Sequence, residues 1–439
     1  MMTPNTASAA SRIDWLSPAT GRLLFLAAFL AGAAIIGPLI IGHHPRPFPA
    51  DFNHLWAAGK AWTLWQSPYG PGHAAIFEAY GLIHTHDVPP PFFYPPHSIA
   101  LFAPLGLFPP AAASFIFAVL NVAALGVSSV LAANLLRHGG LQVSRLALAS
   151  LHAIAIVVFW NAGCVIFAHN IATLFIYIGV LLALRGVQTK RSAPVAAGVF
   201  LALISPQIAA AFAFSLLLLK QTRPAAIAGG AMVAAFSLIG LAPGGVVASL
   251  GAFLENLSVY ASYPENAHSN QSGVGFFIEK LTGLSLSAPL LLACAAGAVA
   301  FVRSRLLESE ARAPFEFAAF SLILGLFFMP SLNHYYVVLT PVAAGYVLKS
   351  ARMSLVAFAA LAIHMRAWDL IAAFNFHVWF QDRNNSATFD SLAILMMLTA
   401  AAALSPSLGI AAFWRRNSAS GARPKPFPVA SDHDQLMKR

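Results

Sequence analysis

The sequence predicts an all-α polytopic membrane protein, a bundle of about 12 transmembrane helices with short interfacial helices in its outer-face loops. Three observations carry this expectation. Hydrophobic residues make up 59% of the 439 positions and charged residues only 9%, where a soluble domain carries about a quarter to keep its surface wet. The mean hydropathy is +0.73. The few charges fall between long apolar runs. A formal charge of +10 does not point to nucleic acid, because basic and aromatic residues nowhere alternate on a soluble face; loop topology accounts for it.

Taken in order, residues 1–21 are a short polar lead, and Leu24 to Ile41 is too long for a signal-peptide core and has no small-residue cleavage site after it. It is expected to remain as an anchor helix. Residues 43–110 form a first outer loop with a re-entrant segment. Within it Phe52, Leu55, Trp56, Gly59 and Trp62 recur at helical spacing, which predicts a short helix flat on the membrane surface with its aromatics in the headgroup layer. Pro104, Pro109 and Pro110 split the next apolar stretch into a re-entrant piece and a span from about Ala111.

Spans follow at 146–160 and 168–185. The run from Lys190 to Lys220 has basic residues at both ends and Ser205-Pro206-Gln207 in its middle, so two short helices in a hairpin are expected there. A span from Ala225 to about Leu250 leads to a second outer loop, 251–285, polar and aromatic from Asn256 to Glu279. Further spans are expected near 286–302, 315–331, 335–348, 354–373 and 390–413, with a tight turn at Asn333 to Tyr336 and a loop at 374–389. Residues 1–414 then form one transmembrane domain, and 415–439 a basic, disordered cytoplasmic tail.

With the N-terminus inside, all but five of the 25 Lys and Arg residues fall on the cytoplasmic side; Arg46, Lys60, Lys280, Arg366 and Arg383 are the exceptions. Both termini are therefore expected in the cytoplasm of a multi-pass plasma or inner membrane protein, with any chemistry facing outward. Cys164 and Cys294 both lie at or within apolar segments and read as packing residues rather than a disulfide framework.

The order Asp51-Phe-x-x-x-Trp56, Pro68-Tyr69, Phe93-Tyr94-Pro95-Pro96 and Phe102-Ala-Pro-Leu-Gly-Leu-Phe-Pro109 resembles the first outer loop of glycosyltransferase family 87, which contains polyprenol-phosphate-mannose-dependent mannosyltransferases of GT-C architecture. Weaker similarity continues through Ser205-Pro206-Gln207, where the family often has Lys-Pro-Gln, and through Asn270-Gln271-Ser272 and Asn333-His334-Tyr335-Tyr336. Serine at 205 removes a positive charge from that segment. The resemblance implies transfer of a hexose, mannose in the family, from a polyprenyl-phosphate donor to a glycolipid or glycan acceptor, with inversion at the anomeric carbon and no cofactor. It also implies that Asp51 matches the family's catalytic aspartate, and that Tyr94, Trp56, Gln207, Asn270, Gln271 and Tyr335 contact the donor phosphate or substrate.

The chemistry itself asks for the same residue types. A carboxylate at the membrane rim is needed to take the acceptor's proton and to face the oxocarbenium-like transition state, and Asp51 lies about ten residues beyond the first span. The competing reading is an N-cap, since Asp before an apolar helical run caps well. The departing phosphate needs a cation or donor, for which His334 and Arg366 are the candidates. Asp369 lies one helical turn beyond Arg366, so a private ion pair is the alternative there. His84, His86 and Asp87, with His73 before them, have chelating types but no second cluster, so no metal site is expected. A polytopic transporter or lipid flippase is the alternative function. It predicts internal repeats, and none relates the two halves.

Overall fold

The computed structural model describes residues 50–82, 91–138, 144–154, 156, 171–263, 273–306, 313–329 and 338. Among them every regular element is a helix. The expected first span, the spans at 354–373 and 390–413, the one at 335–348 apart from Val338, the loop at 374–389 and the tail lie outside the described residues.

Helix α1 (Ala50–Thr63) has Asp51 in its first turn and Lys60 in its last, each the charge that the helix dipole favours at that end. Helix α2 (Pro71–Ala79) and α3 (Pro96–Phe102) both have proline at the start, where the missing N–H costs nothing. A 3-10 turn, Ala103–Leu107, follows. The aromatic face of α1 does not lie in a headgroup layer: Phe52, Leu55 and Trp56 are at most 1% exposed and form a core with Phe77, Phe92, Phe102 and Phe117. The cause is a covering layer, because the 3-10 turn, α3 and the start of the next helix pack over that face. Burying each such side chain contributes about 1.5–3 kcal/mol. The approach of α1 to the 3-10 turn is backbone on backbone; a Cβ on Gly106 would meet the Gly59–Lys60 peptide at 2.5 Å.

The apolar bundle begins with α4 (Pro110–His138) and continues through α5 (Arg145–Ile154) and α6 (Thr173–Thr189). A polar chain pins these three together. Ser129 Oγ lies 2.9 Å from His152 Nδ1, and His152 Nε2 lies 2.7 Å from the Tyr177 hydroxyl. In an apolar interior such a chain fixes one register, because any other would leave its polar atoms unpaired.

The run between the basic clusters is two helices, α7 (Ser192–Ala202) and α8 (Pro206–Leu218). At 1.5 Å per residue they are about 17 and 20 Å long, each short of a bilayer core of about 30 Å. Helix α9 (Arg223–Leu241) sets Gly229 against Ala196 and Val199 of α7 and Phe236 against Phe200, with ring centroids 5.0 Å apart. Contacts that advance together along both chains mean that α7 and α9 run parallel, so α8 returns between them. The short helices thus form a hairpin, splayed because α8 leans on the later helix that carries Gly325. Its turn lies at Ser205-Pro206, where proline cannot continue the ladder.

The expected span from Ala225 to Leu250 is broken at 242–245. Pro243 ends the helix, and Gly244 and Gly245 adopt φ of +78° and +89°, which glycine alone accepts cheaply. The described residues of the segment expected as the second outer loop are largely helical, as α10 (Val246–Ser262) and α11 (Val274–Thr282). Helices α12 (Ala288–Leu306) and α13 (Ala313–Phe328) close the described part. Cys294, expected to pack, is exposed on α12. Two of these helices, α4 and α9, are long and apolar enough to cross a membrane, and shorter apolar helices accompany them.

Candidate active site

Residues 50–108 contain three of the expected site residues. Asp51 sits half-buried in the first turn of α1. The helix dipole favours a carboxylate there, so the same placement suits a stabilising role and an ionised base. One turn along, His54 is 6% exposed, stacks on His73 with centroids 5.7 Å apart, and meets Phe77 at a tilt with centroids 4.8 Å apart. His73 meets Phe92 at 5.8 Å. A continuous layer of rings therefore runs from the helix that carries Asp51 to the Phe-Phe-Tyr-Pro-Pro turn.

Tyr94 is half-buried in that turn and packs against both apolar cores of the protein. Its carbonyl accepts a 2.8 Å hydrogen bond from the Tyr69 hydroxyl. Burial pushes the Tyr69 phenol well above its ordinary range, so it remains a donor. Trp56 is fully buried and its indole N–H donates to the Phe108 carbonyl at 3.0 Å; any contribution to binding comes from holding the 3-10 turn from behind.

Gln207 is half-buried in the first turn of α8, beside an exposed Pro206. Ser205, at the N-cap, makes no side-chain cap, and its buried Oγ has no hydrogen-bond partner. The turn of the hairpin approaches the Tyr94 region through His97, whose ring lies 5.5 Å from that of Phe200 in the last turn of α7. The ring nitrogens of His97 are buried beside the Phe200 backbone. An unpartnered buried polar atom costs about 1–3 kcal/mol, which makes Ser205 a polar group of this region with much to gain from a ligand. Sequence reasoning missed His97 because a histidine between Pro96 and Ser98 carries no motif by itself. His334, Tyr335, Arg366, Asn270 and Gln271, and also His84, His86 and Asp87, lie outside the described residues.

Comparison at the level of protein families matches glycosyltransferase family 87 over residues 92–332, more than half of the chain. The chain belongs to this family. No curated protein matches, and no solved structure does. This glycosyltransferase therefore has a sugar donor and an acceptor. The matched stretch includes Tyr94, Gln207, Asn270 and Gln271, while Asp51 and Trp56 precede it and His334, Tyr335 and Arg366 follow it.

The His54–His73 stack gives the glycosyltransferase an acid-sensitive joint. Burial, then the positive charge His54 can carry, lowers the His73 pKa from 6.5 to about 3, with a hydrogen bond to the His54 backbone opposing them. Between these two values the unfolded chain takes up the proton and the folded one does not, so stability falls as pH falls through that window. From pH 7 to pH 5 the loss should be about 2 kcal/mol. Thermal melts across that range should show the decline in wild type and a smaller decline in His73→Leu; equal slopes would remove His73 as its source.

Proposed function

We propose that the protein transfers a hexose, mannose, from a polyprenyl-phosphate donor to a glycolipid or glycan acceptor on the extracytoplasmic face. The acceptor hydroxyl attacks the anomeric carbon, the bond from that carbon to the phosphate oxygen breaks, and polyprenyl phosphate leaves with the bonding pair. Asp51 takes the hydroxyl proton. A single displacement inverts the anomeric centre and needs no covalent enzyme intermediate. His334 and Arg366 stabilise the departing phosphate, with Tyr94, Gln207, Asn270, Gln271 and Tyr335 as donor contacts and Trp56 as the support beneath them. No metal or other cofactor takes part in the proposed reaction.

The observation that carries this reading is the family membership together with a half-buried carboxylate in the first turn of α1, on the same packed segment as the Tyr94 turn. The proposal includes a bundle of about 12 spans with both termini cytoplasmic. The parallel course of α7 and α9 supports this, since it returns the chain to its starting side between two basic clusters. The test is sugar transfer by the purified protein in lipid nanodiscs, with a panel of polyprenyl-phosphate hexoses and of nucleotide sugars, and extracted glycolipids as acceptors. Transfer from the mannosyl lipid alone is expected; transfer from a nucleotide sugar would overturn the donor assignment.

A further inference from the structure

Helix α10 meets residues 50–108 along a single stripe. Ser249, Phe253, Asn256 and Tyr260 follow one another at spacings of four, three and four, which places them on one helical face. Each makes a contact across the gap. Ser249 Oγ lies 2.9 Å from Ser67 Oγ, and Phe253 meets the Tyr69 ring edge-on at 5.1 Å. Tyr260 stacks on Phe93 with centroids 3.8 Å apart. Residues off the stripe are exposed, Val247 at 85% and Leu254 at 57%. The link to α9 is Pro243-Gly244-Gly245, whose left-handed glycines do not by themselves fix the direction of α10. The stripe does.

Asn256 is its centre. Its Nδ2 donates to the Tyr69 carbonyl and to the Phe92 carbonyl, both at 3.0 Å, so both amide hydrogens are used. Those carbonyls lie 23 residues apart in the chain, and the Tyr69 hydroxyl reaches on to the Tyr94 carbonyl. The result is a closed bracket: Asn256 holds Tyr69 and Phe92, Tyr69 holds Tyr94, and Phe93 between them is clamped by Tyr260. The Asn256-Leu257-Ser258 triplet is formally a glycosylation sequon, but an amide nitrogen committed to two carbonyls within a helix is not available for that chemistry.

We propose that Asn256 is a positioning residue for donor binding, which acts through the backbone of Phe92 to Tyr94 rather than by touching the donor. This rests on the reading of Tyr94 as a donor contact. Asn256→Asp keeps size and shape, deletes both donors and sets a negative charge against two carbonyl oxygens. Tyr69→Phe deletes only the bond to the Tyr94 carbonyl. Asn256→Asp should raise the KM for the polyprenyl-phosphate sugar, and the Kd for polyprenyl phosphate itself, by about 10- to 100-fold, which matches two lost hydrogen bonds. Turnover at saturating donor should change much less. Tyr69→Phe should shift KM in the same direction by a few fold, and it keeps the inference testable if the aspartate variant does not fold.

A purely structural role would appear as a lowered melting temperature with an unchanged KM in the surviving protein. The experiment uses the full chain in nanodiscs with wild type alongside. If wild type does not bind polyprenyl phosphate, the donor reading fails. If wild type binds it and folded variants show the wild-type KM and Kd, the positioning role alone is overturned.

Discussion

Asp51→Asn is expected to fold as wild type does, to bind the lipid donor about as well, and to transfer almost no sugar. Asparagine has the same size and gives up only the charge–dipole contribution, about 0.3–1 kcal/mol, so a role limited to the first turn of α1 would show as a small loss of stability with transfer intact. A catalytic role would not, because the amide neither accepts the acceptor's proton nor offers negative charge to the transition state. Removal of a general base costs about 10²- to 10⁴-fold in rate. The measurements are a thermal melt, a titration with polyprenyl phosphate, and transfer at saturating donor. Substantial transfer by a well-folded variant would return Asp51 to a stabilising role and leave Glu78, Asp87 or Glu265 to be tried as the base.

His334→Ala is the second large effect. If His334 donates to the departing phosphate, its loss should lower turnover by about 10²-fold with little change in melting temperature. Arg366→Ala provides the contrast. As a second phosphate ligand it should lower turnover similarly, whereas as the partner of Asp369 it should lower yield and thermal stability instead. Wild-type turnover in His334→Ala would remove that residue from the mechanism.

Two boundaries that proline dictates were legible in the sequence. The start of α4 at Pro110 and the turn at Ser205-Pro206 both follow from a ring that lacks an N–H. The break at Pro243-Gly244-Gly245 was not legible, because the surrounding residues are apolar enough to carry a hydropathy window straight through it. The aromatic stripe of α1 was read as helical, and it is; its surroundings were not readable. Phe52 and Trp56 have the same chemistry against headgroups as against protein, and only the 3-10 turn and α4, brought from elsewhere in the chain, decide between them.

The candidate site divides along the same line. Asp51 and Tyr94 stood out because they belong to a motif with fixed order. Asn256 did not, because an asparagine in an Asn-x-Ser triplet reads as solvent-facing polarity. Its hydrogen bonds go to two carbonyls contributed by distant residues. His97 is similar: its cost to the fold comes from burial, which single-sequence reading does not supply.

The segment that carries Asp51 meets its neighbours, beside its aromatic core, at two places backbone against backbone. Gly106 lies against the Gly59–Lys60 peptide, and Gly240 of α9 lies against the Pro96 carbonyl. The Trp62 indole N–H also donates to the Ile239 carbonyl at 3.0 Å. Seams of this kind leave no soft layer of rotamers to absorb a displacement, so a shift of α1 must be passed on to α3 and α9 as a nearly rigid translation. Fluctuations that carry the Asp51 carboxylate relative to the bundle are then collective, belonging to the microsecond-to-millisecond range of packed helices rather than the nanosecond range of an outer loop. Asp51 thus rides with the packed helices around it and not with a loop.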